Sequence, residues 1–255
     1  MNFRIAFFFI FILSSCDKQD AFDCIQSIGH PITEEFITDN FDEILVNENI
    51  ELTVKVGSLF SLKIQTGSNM MSDVSYRIQD GILILTDENR CNWVRSYAPT
   101  KVTVVAPNLK KITSNTQYEI KSEGVLTYPS LELISENFDN NFLSLGDFNI
   151  QIQSENLFII SNNLSQFFIS GTTNNLHIGF YSGTTSFFGS NLIAQEIIVS
   201  HRSGHDILVN PILSLTGELR STGNLISVKT PELVDVAQLY TCLLYTSDAA
   251  DDVRG

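Results

Sequence analysis

From residue 24 onward the chain alternates short runs of Ile, Leu, Val, Phe and Thr with clusters of Asn, Ser, Gly and Asp, and helical spacing of apolar residues is almost absent. Residues 43–56 (EILVNENIELTVKV), 60–66, 82–86 and 101–105 read as strands, and Gly57-Ser58, Asp80-Gly81 and Pro107-Asn108 read as turns between them. From Leu109 a repeat sets in. Apolar strands begin at Leu109, Leu131, Leu157, Leu176, Ile197 and Leu215, about 20 residues apart. A second series, at Ile120, Phe142, Phe167, Phe187, Ile207 and Leu225, follows each of them by roughly half that period. Polar turns at residues 114–116, 139–141, 161–163, 182–184, 202–204 and 221–223 lie between the two. A two-strand unit this short cannot bury its own apolar face, so stacking is the natural solution. The pattern therefore predicts an all-β parallel β-helix, a solenoid-like stack whose irregular strands before Leu109 suit a cap over one end. Leucine-rich repeats do not fit, because the half after each turn is another β run, as in Phe167-Phe168-Ile169-Ser170. A β-sandwich is the alternative for any chain this rich in strands.

The first residues break this pattern. Met1 to Arg4 carry one positive charge, and nine unbroken apolar residues follow, IAFFFIFIL at positions 5–13. Spanning a bilayer takes roughly 20 apolar residues, so this run reads as the core of a signal peptide over residues 1–15. It ends in Leu13-Ser14-Ser15-Cys16, which resembles the bacterial lipobox and makes Cys16 the expected site of lipid attachment. Residues 16–23, polar and acidic, read as a tether. Acidic residues just behind such a Cys resemble the surface-export tags of Bacteroidetes lipoproteins, whereas an Asp directly after it resembles an inner-membrane retention signal of other bacteria. The leaflet stays open.

Residues 242–255 also stand apart. CLLYTSDAADD back-translates to a transposase mosaic end followed by a sequencing adaptor, and the segment reads as a non-native tail, excluded from fold reasoning. On that reading the folded domain covers residues 24–241, irregular over 24–108 and regular over 109–241. Two of the four cysteines then remain for the interior, Cys24 and Cys91. In an exported chain they form an expected disulfide, closing a loop of about 68 residues and adding roughly 4 kcal/mol. Two separate buried thiols are the other reading.

Charge removes several function classes. With 15 Lys and Arg against 29 Asp and Glu the formal charge is −14, and no basic block interrupts it, so nucleic acid is not an expected partner. Hydrophobic residues at 43% and charged ones at 17% argue against disorder. Partners are expected at the membrane, through the lipid, and on a coil face, as a glycan or protein ligand.

The lipobox, the segment FDEILVNENIELTVKVG, the phrase DENRCNWVRSY at residues 87–97 and the Ser- and Gly-punctuated coils together resemble the putative auto-transporter adhesin family with the head GIN domain, common among Bacteroidetes lipoproteins. The resemblance covers roughly residues 23–240. It implies a right-handed β-helical fold and says little about partners, since fold does not fix function.

Few residues invite chemistry. His201-Arg202-Ser203-Gly204-His205-Asp206 holds the only clustered histidines, and a two-His site with Asp206 is conceivable. Its turn register favours a solvated turn instead, and no metal or cofactor is expected. His30 and His177 stand alone. Acidic residues are scattered without the pairing that glycoside hydrolysis needs, and no nucleophile elbow, metalloprotease, phosphate-loop or dinucleotide motif occurs. No catalytic residue is assigned. Trp93, the only Trp, with Arg95, Tyr97 and Arg90, forms the candidate recognition patch, since aromatic faces and guanidinium forks suit sugars and peptides. The competing reading has Cys91 staple this loop and Trp93 cover one end of the core. The expected protein is a non-enzymatic, lipid-anchored envelope or surface module, adhesin-like. A periplasmic structural or sensing accessory and a glycan-capturing or polysaccharide-degrading protein are the alternatives.

Overall fold

The computed structural model describes residues 28–89, 98–136 and 144–246. Among them are β1 (Pro31–Ile37), β2 (Glu43–Val46), β3 (Ile50–Val56), β4 (Ser61–Gly67), β5 (Val74–Gln79), β6 (Ile82–Asp87), β7 (Thr100–Ala106), β8 (Lys111–Ser114) and β9 (Ile120–Leu126). Then follow β10 (Ser130–Ser135), β11 (Phe148–Ser161), β12 (Gln166–Phe180), β13 (Ser186–His201), β14 (Ile207–Leu219), β15 (Leu225–Ser227), β16 (Leu233–Gln238) and β17 (Leu244–Tyr245). One 3₁₀ turn, Met71–Asp73, is the only helical piece among the described residues. The protein is all-β, and its strands join into one mixed, strongly curled sheet.

Alternation of side chains explains the curl. In β11, Phe148, Ile150 and Ile152 are buried, and then the phase slips by one so that Leu157, Ile159 and Ser161 are buried instead. A slip of one residue turns the buried face over to the other parity, so each long strand serves two runs of the sheet. The leading halves of β11 to β14 stack with β7, β3 and β9 on one side and with β15 and β17 on the other. Their trailing halves stack with β6, β2, β8 and β10, and then with β16. All of these pairings are parallel. The inner sides of both runs contribute to a single hydrophobic core.

The register follows the repeat seen in the sequence, with two corrections, the first at Leu109: Glu132 is level with Lys111, so Leu109 falls one residue out of step with Leu131. Leu131, Leu157, Leu176, Ile197 and Leu215 are level with one another. In the other series the level runs Ile120, Phe148, Phe167, Phe187, Ile207, Leu225. Phe148, not Phe142, fills that position, because the chain between Leu131 and Leu157 holds extra residues; Phe142 itself lies outside the described ones. Inside, the Phe148 and Phe167 rings stack at 4.7 Å and 8°. The strands before Leu109 do more than cap. β2 lies between β6 and β8, and β3 between β7 and β9, so both stand inside the parallel stack out of chain order. Antiparallel pairing, absent from the regular region, joins β1 to β4, β4 to β7 and β5 to β6 at the amino-terminal end. There β1 carries Pro31, Glu34 and Glu35 at its edge, residues that discourage further strand addition. At the other end Cys242 is buried and β17 pairs with β15, so residues of the terminal segment contribute a short strand. An antiparallel sandwich is ruled out by the parallel ladders from β8 onward.

Gly171 lies in β12 beside the register shift against β13, at φ +115°, and a Cβ there would come within 2.0 Å of the Ile152 carbonyl oxygen. Gly124, at φ +79°, faces open space. Gly171→Ala should lower unfolding free energy by about 2–3 kcal/mol through clash and backbone strain, while Gly124→Ala should cost only about 1 kcal/mol. Equal midpoints for the two in urea denaturation would contradict this account of the bend.

Candidate binding groove

Where the long strands pass from one run of the sheet to the other, their outer side bears a groove of about 600 Å³. Its lining comes from successive strands at the same corner: Thr127 and Pro129 between β9 and β10, residues 153–155 of β11, 172–174 of β12, and Ile193 and Gln195 of β13. The corner is anchored from beneath. Tyr128 is fully buried, its hydroxyl donates to the Ala106 carbonyl at 3.2 Å, and burial raises its phenol above the ordinary value. Ser154 donates to the Thr173 hydroxyl at 3.0 Å, and the Asn175 amide donates to the Asn156 side-chain oxygen at 2.9 Å.

The upper groove is different. The side chains of Thr127, Gln153, Thr172, Asn174 and Gln195 make no hydrogen bond among the described residues. Glu155 is the one carboxylate in the lining, and neither Lys nor Arg contributes. These are donors and acceptors held on a rigid ladder and left to solvent.

The opposite corner, the column of polar turns seen in the sequence, uses its side chains internally. Ser135 Oγ lies 2.6 Å from Ser165 Oγ, and Ser161 Oγ lies 2.7 Å from Thr185 Oγ1. The Asn163 amide donates to the Ser144 carbonyl, Thr185 donates to the Asn163 carbonyl at 3.0 Å, and Ser203 donates to the Thr185 carbonyl at 2.7 Å. Backbone bonds repeat from turn to turn, Thr184 N–H to Asn163 O at 3.0 Å and Gly204 N–H to Gly183 O at 3.0 Å. Buried polar groups are as a rule paired, and most of this column's pair with one another; the buried Ser114 hydroxyl is the exception. Its Ser and Thr residues are structural.

The histidine cluster divides accordingly. His201 is fully buried, which corrects the expectation of a solvated turn: it ends β13 level with Phe180 and Leu219, an inward position of the core. Its Nδ1 accepts from the Ser203 N–H at 3.4 Å. His205 is exposed, with Nδ1 3.3 Å from the Ser186 hydroxyl, and Asp206 accepts from the Asn224 backbone N–H at 2.8 Å and its amide at 3.0 Å. The three side chains therefore face different partners, and no metal-binding group occurs among the described residues. His177, isolated in the sequence, stacks on Phe158 at 4.8 Å on the outer face.

Cys16, Cys24, Arg90, Cys91, Trp93, Arg95 and Tyr97 lie outside the described residues. The roots of that last segment are described. Asp87 accepts from the Asn89 N–H at 2.9 Å, the Asn89 amide at 2.6 Å and the Thr100 hydroxyl at 2.6 Å, and burial outweighs these bonds to raise its carboxyl.

Comparison with known proteins bears on this arrangement. The profile described as "Putative auto-transporter adhesin, head GIN domain" matches residues 40–231. The chain belongs to that family. The match takes in both corners, from the first parallel strands to β15. A crystal structure of a putative adhesin from Bacteroides fragilis is similar at a TM-score of 0.75 and 18% identity, covering 85% of this chain and 97% of that one. A putative adhesin from Parabacteroides distasonis gives 0.61 and 10%, and a putative lipid binding protein from the same species gives 0.56 and 13%, each over 85% of this chain and 97% of the other. At such identities the likeness is one of fold. No curated protein matches the sequence.

The groove was not legible as a site in the sequence, where aromatic and basic residues drew attention to 90–97. Its signal is the phase slip: buried positions change parity between residues 152 and 157 of β11 and between 173 and 176 of β12.

Burial also lowers the His201 imidazole below its ordinary 6.5, the nearby Asp206 charge offsetting this only in part. The native state therefore binds fewer protons than the unfolded chain below pH 6.5, and stability must fall as pH drops from there toward the native value. In urea titrations across that window, His201→Phe should remove this part of the acid loss; parallel curves for variant and parent would refute the burial argument.

Proposed function

We propose that the protein is a non-enzymatic, adhesin-like module of the cell envelope, held to the outer membrane by lipid on Cys16, that receives a glycan or protein ligand in the corner groove of a right-handed β-helix. The observation that carries this reading is the contrast between corners: one uses most of its hydroxyls and amides in the fold, and the other leaves the side chains of Thr127, Gln153, Thr172, Asn174 and Gln195 unengaged at the surface. Membership of an adhesin family supports the same role. The helical reading is supported by parallel strands returning to register about every 20 residues, and its hand by the right-handed preference of such connections. A hydrolytic reading finds one carboxylate in the groove, Glu155, where a glycosidase needs two. Asp87, Tyr128 and His201, each shifted chiefly by burial, are tied up in packing away from the open surface. No helix among the described residues is long and apolar enough to cross a membrane.

Protease added to intact cells should shave the protein from the surface, and Cys16→Ser should move it from the membrane fraction to the soluble one. Survival until the outer membrane is opened would replace the adhesin role with a periplasmic one. Cells displaying Thr172→Val with Asn174→Ala should attach to mucin-coated plates about tenfold less than the parent, the loss of roughly 1.4 kcal/mol of contacts.

A further inference from the structure

We infer that the corner groove takes an extended, uncharged polysaccharide strand lying along the stack, with one sugar ring per coil. This rests on the binding role assigned to the groove above and names its ligand. Equivalent positions recur at each level: Gln153 is level with Thr172 and Ile193, and Glu155, Asn174 and Gln195 follow two residues on. Parallel strands lie about 4.8 Å apart, so side chains on four successive levels span about 14 Å. That spacing is close to the advance per ring of an extended glycan. Amides and hydroxyls both donate and accept, as sugar hydroxyls do, and Pro129 and Ile193 supply apolar surface for ring C–H groups.

Charge narrows the class. With neither Lys nor Arg in the lining and a formal charge of −14 on the chain, uronate or sulfated polymers, nucleic acids and phosphate headgroups find no counter-charge here. An extended peptide is disfavoured for another reason. Peptides gain affinity by adding a strand to a free sheet edge, and this groove crosses strands whose backbone groups are already paired, Gln153 with Thr172 and Ser154 with Thr173. Without an aromatic ring in the lining each site binds weakly, and attachment builds from many copies on one cell.

The test titrates the Cys16→Ser protein, full length, with linear β-glucan and mannan oligosaccharides of two, four and six units and with a six-unit polyuronate, followed by calorimetry and amide shifts of residues 153–155 and 172–174. Affinity for at least one uncharged series should climb from two to four units and then level off, and the polyuronate should not bind. Gln153→Ala with Asn174→Ala should weaken binding about tenfold with an unchanged thermal midpoint; Thr172→Val, nearly isosteric, serves if the double variant folds poorly. Failure of every uncharged series to bind, while the groove variants still lose attachment to mucin, would overturn the polysaccharide and leave the groove. Binding of the polyuronate as tightly as the neutral chains would overturn the charge argument. Attachment unaffected by the groove variants would overturn the groove reading itself.

Discussion

The larger part of this fold depends on successive strands keeping parallel register. A strand that slips by one residue against its neighbour turns its whole apolar set outward, and here that would expose Phe167, Ile169 and their neighbours together. The ladder between β11 and β12 holds from Phe148 against Phe167 to Ser161 against Phe180. Between β12 and β13, and between β13 and β14, strands of different length are reconciled by irregularities near Gly171 and Ile193. Those bulges sit at the corner, where the extra residue is least costly because the chain already changes direction. The groove is thus a by-product of how register is kept.

The two corners show how one type of residue serves opposite ends. Ser161, Thr185 and Ser203 lie where the chain reverses over the core, and their hydroxyls reach backbone and side-chain partners in the next turn. Thr172 lies in the backbone ladder and Asn174 at the one position beside it that the ladder skips, and neither side chain has a hydrogen-bond partner among the described residues. Composition could not separate them. Position relative to the ladder does.

The repeat itself was legible, because inward positions must be apolar at every level and the spacing between levels is nearly constant. It misled at Phe142, where the chain between two coils is longer than the period and Phe148 takes the position. It was silent on β2 and β3: an excursion from Ser61 to Ala106 separates them from β8 and β9, and no local pattern reports a partner so distant in sequence. The turn at 201–206 looked wholly polar, yet His201 ends a strand and inherits its inward face. The groove lacks aromatic and basic residues and holds a single carboxylate, Glu155, and only the change of buried parity along β11 and β12 betrays it.

Interior and exterior positions alternate along every long strand, and this divides the chain into two sets under unlike demands. The inward set need only be apolar and of suitable volume, a condition many sequences meet. The outward set answers to nothing in the fold beyond solubility. Surfaces built this way can be rewritten residue by residue while the scaffold stands, which accounts for structures alike at a TM-score of 0.75 with 18% of positions in common. Ligand preference in such a protein can diverge between species faster than its architecture.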